Sequence, residues 1–322
     1  TMFFRRAALL KNLARRPSRS LSLAAMLLAL SAVPGVAADE EDSFLGMDLK
    51  GSLGNEQLTH YVPPVTNFIY NETPYITTEL RPLFVYHRLS DDFITNGGHA
   101  EVIALQARVA ITERLGFIAT KDGYSWLHFD DGLDDEDGFN NIALGLKYNF
   151  LTLPESQTLL TFGTRYEIPI NDLESSGIEL AGDGDGWVNP FLTGATTFGK
   201  LGLQGSVGAN IALDSDKDNS FMVYSLHADY EVQKDFFPLL EMNGFTAFNQ
   251  ADRSKGALKH LDGADYLNFG SEDRGTTITM AGGMRYRFTD NFLVGIAVEQ
   301  KVTGDNDSLF GTRVTMDAVL HF

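Results

Sequence analysis

The sequence predicts an all-β fold: a transmembrane, antiparallel, up-and-down β-barrel of twelve strands. Three observations carry this. Apolar and polar residues alternate with period two over long runs, short and long connections alternate between those runs, and the last run closes on an aromatic residue, Phe322. The 322 residues are 43% hydrophobic and 21% charged, which excludes both a disordered tail and a helical membrane protein. There are 31 Gly, 23 Phe, 11 Tyr and no Cys, so a disulfide scaffold and a Cys-ligated zinc site are excluded. The net charge of −18 argues against nucleic acid as a partner. No cofactor is expected.

Residues 2–38 read as a secretory signal. Arg5, Arg6, Lys11, Arg15, Arg16 and Arg19 form a basic region, an apolar stretch follows from Leu21 to Val33, and Val36-Ala37-Ala38 closes it. That stretch of 13 residues is too short to span a bilayer. The Arg15-Arg16 pair lacks the flanking pattern of a twin-arginine signal, so ordinary secretion is expected. The remainder then carries 19 basic against 43 acidic residues. Residues 39–77 hold Pro63-Pro64 and Pro74 among Tyr61, Phe68, Tyr70 and Tyr75. Proline suits a central strand poorly. An extended segment is expected, either periplasmic or tucked into the lumen as a plug. An added strand pair, for fourteen strands, is the alternative.

The barrel is expected over 78–322. Its runs lie near 78–89, 99–112, 115–126, 141–151, 158–169, 187–198, 201–213, 221–232, 238–249, 276–288, 292–303 and 309–322. Most exceed the roughly 5–6 residues usual in soluble domains and match the roughly 9–11 needed to cross a bilayer at a tilt. Short connections such as Glu113-Arg114, Gly199-Lys200 and Thr289-Asp290-Asn291 alternate with long ones near 90–98, 127–140, 170–186, 214–220, 250–275 and 304–308. An even strand count places both ends of the barrel on the short-turn, periplasmic side of an outer membrane in a Gram-negative-type envelope. The final strand places Val314, Met316, Ala318, Leu320 and Phe322 at alternate positions. This resembles the signal by which such barrels are inserted and implies the barrel-assembly machinery as a partner, with Leu320 and Phe322 as the assembly signal. Tyr148, Phe150, Phe198, Tyr230, Tyr286 and Phe288 gather near the short turns, as an aromatic girdle against outer-membrane lipid would.

Charge decides which face is inward. One face carries Arg81, Arg108, Lys147, Arg165, Glu167, Asp229, Glu241, Arg285, Arg287, Glu299, Lys301 and Arg313, with Glu79, Glu101 and Asp317. An Arg or Lys against lipid at mid-bilayer costs roughly 2–4 kcal/mol, so this face must line the lumen and set its selectivity. A soluble barrel would reverse the faces, but the signal, strand length, loop parity and terminal Phe oppose that. Small inward residues, among them Ala104, Ala143, Gly145, Gly163, Gly202, Gly208, Ala281, Gly283, Gly295 and Ala297, leave space and favour a passage over a solid plug. Twelve strands lie between a side-chain-filled interior and a wide channel.

Two constellations have residue types that could carry chemistry. Ser225, His227 and Asp229 share one strand face, but residues two apart sit about 6.6 Å apart, too far for a direct base–nucleophile bond. No catalytic residue and no enzyme activity are expected. Asp214, Asp216 and Asp218 resemble the start of a calcium loop, yet Asn219 stands where Gly is needed and Ser225 where Glu is needed. They are at most a weak calcium candidate, and a solvated acidic loop is the better reading.

The segments Ile142-Ala-Leu-Gly-Leu-Lys147-Tyr148-Asn-Phe150 and Leu160-Thr-Phe-Gly-Thr-Arg165-Tyr166-Glu-Ile-Pro169 resemble strands of the outer-membrane proteins linked to the meta-pathway of phenol degradation. The resemblance covers the layout of most of 78–322 and only short stretches in words. It implies a transporter of small, often aromatic or apolar molecules with no catalytic residues. The expected function is a passive channel or facilitator for small solutes, with acidic loops that favour cations or neutral solutes at the mouth. The alternatives are a closed structural or surface-interaction barrel working through its loops, and a barrel hydrolase.

Overall fold

A computed structural model describes residues 59–251, 265–268, 275–303 and 309–322. The expected signal, 2–38, and residues 39–58 lie outside the described residues. The strands are β1 (Glu79–Leu89), β2 (Gly98–Ala110), β3 (Leu115–Lys121), β4 (Tyr124–Phe129), β5 (Glu136–Phe139), β6 (Ile142–Leu153), β7 (Thr158–Ile168), β8 (Glu174–Ser175), β9 (Ile178–Glu179), β10 (Trp187–Phe198), β11 (Leu201–Ala212), β12 (Ser220–Tyr230), β13 (Phe236–Asn249), β14 (Thr276–Thr289), β15 (Phe292–Thr303) and β16 (Phe310–His321).

Every ladder is antiparallel. β1 pairs with β2 on one side and β16 on the other, which closes the barrel. β3 and β4 both pair with β2 and form one wall strand broken at Asp122-Gly123. β5 and β6 likewise form one strand broken at Asn140-Asn141. Counted so, the wall has the twelve strands expected, and β8–β9 is a small separate hairpin in a long loop. Residues 59–78 contain no strand, and β1 has β2 and β16 on its two edges, so among the described residues no added strand pair joins the wall.

The break in the wall has local causes. Gly123 has φ +101°, and a Cβ there would lie 2.3 Å from the Ile103 carbonyl oxygen, so only glycine fits. Side chains replace the interrupted ladder. The Asp122 carboxylate accepts from Leu105 N at 3.0 Å, and Ser125 Oγ donates to Asn140 Oδ1 at 2.8 Å.

Burial alternates along each strand as one apolar face against lipid requires. Tyr148, Phe150, Phe198, Tyr230, Tyr286 and Phe288 are all exposed outward, near the short turns. Most of the named charged residues are buried inward. Glu101 is the exception. In β2 the inward positions are even-numbered, from Ala100 to Ala110, so Glu101 points outward, opposite Tyr86 and Trp126. It lies near the long-loop end of β2, where the apolar face gives way to polar residues.

The lumen has two layers. Toward the long loops it is apolar: Leu83, Val85, Val102, Leu127, Phe221 and Val223 pack with Tyr266 and Leu309 from the loops. Toward the short turns it is lined by most of the charged residues, while Arg313 and Lys301 lie near the long-loop end.

Candidate functional site

Residues 59–77 run inside the barrel. The segment enters at the short-turn end, turns at Asn67 (φ +46°), where Tyr70 N and Asn71 N bond the Asn67 carbonyl, and returns to β1. Its prolines lack the N–H groups a ladder needs. The backbone is buried without sheet partners, so its polar groups must be met by side chains. The wall charges meet them. Arg285 Nε donates to the Pro63 carbonyl at 2.9 Å, Arg81 Nη2 to that of Pro64 at 2.7 Å, and Arg287 Nη2 to that of Tyr61 at 3.2 Å. Glu241 accepts from Val65 N at 2.8 Å and Thr66 N at 2.7 Å, and from the Thr66 hydroxyl. Asn67 Nδ2 donates to Ser225 Oγ at 3.0 Å, His60 Nε2 lies 2.9 Å from Asp229 Oδ1, and Tyr61 Oη donates to Glu79 at 2.7 Å.

Glu72 is the segment's one acidic residue and is fully buried. Arg108 donates to both of its carboxylate oxygens, at 2.9 and 2.8 Å, and Lys147 Nζ lies 2.8 Å away. Arg165 Nη2 stands 3.7 Å off. Lys147 also bonds the Thr73 carbonyl, and Thr161 that of Pro74.

The small lumen residues do leave space, and the segment fills it. A Cβ on Gly202 would lie 2.3 Å from His60 Nε2, and one on Gly295 would lie 2.9 Å from Val65 Cγ2. At these positions the room receives residues 59–77.

The remaining charges pair across the wall. Asp317 accepts from Arg81 and from Arg285, the latter at 2.9 and 3.0 Å. Arg313 binds Asp265 from a long loop and stands 3.9 Å from Glu299. Lys121 meets Glu167 at 2.6 Å. Arg287 is half-buried over the Phe237 ring, and Lys301 is half-buried on the lumen face near the long-loop end of β15. Sequence reasoning missed Glu72, Lys121 and Asp265 as members of this network. Burial pushes the Tyr266 phenol well above its ordinary range, with Asp265 adding to the rise, so it stays neutral beside the apolar layer.

Neither the Ser225–His227–Asp229 face nor the Asp214–Asp218 loop assembles into a reactive or metal-binding site among the described residues. Ser225 Oγ donates to Asn243 Oδ1 at 2.7 Å, while His227 bridges Glu241 at 2.8 Å and Asp229 at 3.3 Å, so no Ser–His bond forms. Asp218 is buried and accepts from Asp183 N and Gly184 N, and Asp214 caps Asp216 N. Among the described residues no group of three His, Cys, Asp or Glu could hold a metal ion. The aspartates order a loop turn.

Compared with known proteins, the chain matches no family model and no curated protein. Among solved structures it is similar to the COG4313 outer membrane channel from Pseudomonas putida F1, at 14% identity and a TM-score of 0.55, covering 81% of this chain and 100% of that one. Weaker likenesses are to the KdgM porin, at 12% identity and a TM-score of 0.43 over 75% and 99% of the two chains, and to the NanC porin, at 7% and 0.46 over 76% and 100%. The fold is thus that of the outer-membrane β-barrels.

Proposed function

We propose that this chain is a passive outer-membrane channel or facilitator for small solutes, held narrow by its own residues 59–77. One observation carries the reading. The segment fills the lumen through side-chain bonds and makes no ladder with the wall, so it can yield without opening the barrel. The chain divides on this reading into an export signal (2–38), a lumen segment within 39–77 and the barrel (78–322). The apolar layer near the long loops supports small aromatic or apolar solutes, in keeping with the resemblance to the phenol meta-pathway proteins. The lumen charges from Arg81 to Arg313 set selectivity.

The test is permeation. The refolded chain in planar bilayers is expected to give small, steady conductance steps, and liposomes containing it are expected to swell in small neutral solutes. Protein shown to be folded and inserted, yet passing neither ions nor solutes, would support instead a closed barrel acting through its acidic loops.

The final strand is proposed as the assembly signal. Deleting Phe322 is expected to lower the amount of barrel reaching the outer membrane in cells several-fold. Its side chain is exposed, so refolding in detergent should be little changed. Equal losses in both settings would assign Phe322 to barrel stability instead.

A further inference from the structure

The segment that fills the lumen presents one carboxylate, Glu72, and, toward the long loops, the rings of Phe68 and Tyr70. Arg108 grips Glu72 with two parallel bonds, the fork geometry by which guanidinium recognises a free carboxylate. Lys147 adds a third bond. Arg165 is as deeply buried but is not spent on Glu72. Its Nη2 is 3.7 Å away, and neither Nη2 nor Nε makes a hydrogen bond. Its Nη1 bonds Asn189 and its plane lies 4.3 Å from the Phe191 ring, so these idle donors are fixed in place. Toward the long loops, the Phe68 ring meets Tyr266 at 5.6 Å and Tyr70 meets Phe221 at 5.9 Å.

We infer that Arg108, Lys147 and Arg165 form a binding site for a small organic carboxylate with an apolar body, and that Glu72, with Phe68 and Tyr70 beyond it, occupies that site in the ligand's place. This deepens and rests on the reading of the barrel as a solute channel. Three cations around one carboxylate, one of them making no hydrogen bond to it, exceed what anchoring needs, and among the described residues the wall pairs them only with Glu79, 3.1 Å from Arg108. A free carboxylate is not tied to a backbone and can move the remaining distance to Arg165. Its apolar body would then lie in the layer that now takes Phe68 and Tyr70. The acidic long loops do not oppose this strongly, because at physiological salt their field falls off over about 8 Å.

The experiment uses the full chain with Glu72→Ala, which removes the tethered carboxylate and leaves room for a free one. Its urea midpoint in vesicles is measured in sodium benzoate, sodium acetate and sodium chloride at equal ionic strength. Benzoate is expected to raise the midpoint saturably, acetate less and chloride not at all, while the wild type responds several-fold more weakly. Adding Arg165→Met should abolish most of the benzoate effect. If Glu72→Ala folds poorly, its refolding yield in benzoate against chloride is the same readout. Glu72→Gln, which keeps the shape, is expected to shift the reversal potential toward chloride, and benzoate to reverse that shift. Equal behaviour in benzoate and chloride for both variants overturns the site. Conductance without a benzoate response would sink the site and leave the channel standing. A benzoate response in protein that never conducts would do the opposite.

Discussion

Asp317→Asn is expected to cost about 3–5 kcal/mol of barrel stability, the usual penalty for removing one partner of a buried ion pair. Asp317 is the shared carboxylate of Arg81 and Arg285, and all three are buried. Asparagine keeps the size and one acceptor oxygen but leaves two guanidinium charges with no adjacent anion among the described residues. The effect reaches the lumen segment, because the same two arginines donate to the Pro63 and Pro64 carbonyls. Urea unfolding of the barrel in lipid vesicles is the measurement. An unchanged midpoint would mean that water or another acid neutralises the pair. Replacing Arg88, whose ion pair with Asp91 is exposed, should change the midpoint by less than about 1 kcal/mol and serves as the control.

Deleting residues 60–76 is expected to raise single-channel conductance several-fold and to turn selectivity toward anions. The first effect follows from volume: the segment occupies the space between small wall residues such as Gly202 and Gly295. The second follows from charge, since the deletion removes Glu72 and leaves Arg108, Lys147 and Arg165 facing water. The barrel should survive, because wall charges that lose segment partners gain water in an opened lumen and the deletion breaks no ladder. Heat-modifiable gel mobility checks folding. A folded deletion variant with wild-type conductance would show that the constriction lies elsewhere, with the loop residues Tyr266 and Leu309 over the apolar layer as the first candidates.

Much of this architecture was legible in sequence because the bilayer imposes a local rule. Each wall residue faces either lipid or lumen, so period two, strand length and loop parity identified twelve strands and the inward charges. The rule failed where register shifts. Lys121 follows an irregularity between Ala119 and Lys121 in the β3–β6 ladder, which puts it on the lumen face beside Glu167, a placement strict alternation does not give. Glu101 failed in the opposite way: its charge suggested the lumen, but its parity in β2 puts it outside.

The contents of the lumen were decided only by tertiary structure. The prolines and aromatics of residues 59–77 argued against a central strand but did not choose between periplasm, lumen and an added strand pair. That choice depends on whether buried carbonyls and N–H groups can find partners, and the partners come from distant strands: Arg81 in β1, Glu241 in β13, Arg285 in β14. Glu72 carried no signal in sequence, because one acid among neutral residues is ordinary. Its meaning appears when β2, β6 and β7 bring Arg108, Lys147 and Arg165 around it. By itself the sequence determined the wall, since each strand residue answers to lipid or lumen one position at a time. Only the tertiary structure determined what the wall encloses, since the charged partners of the enclosed segment's backbone and of Glu72 lie far away in the chain.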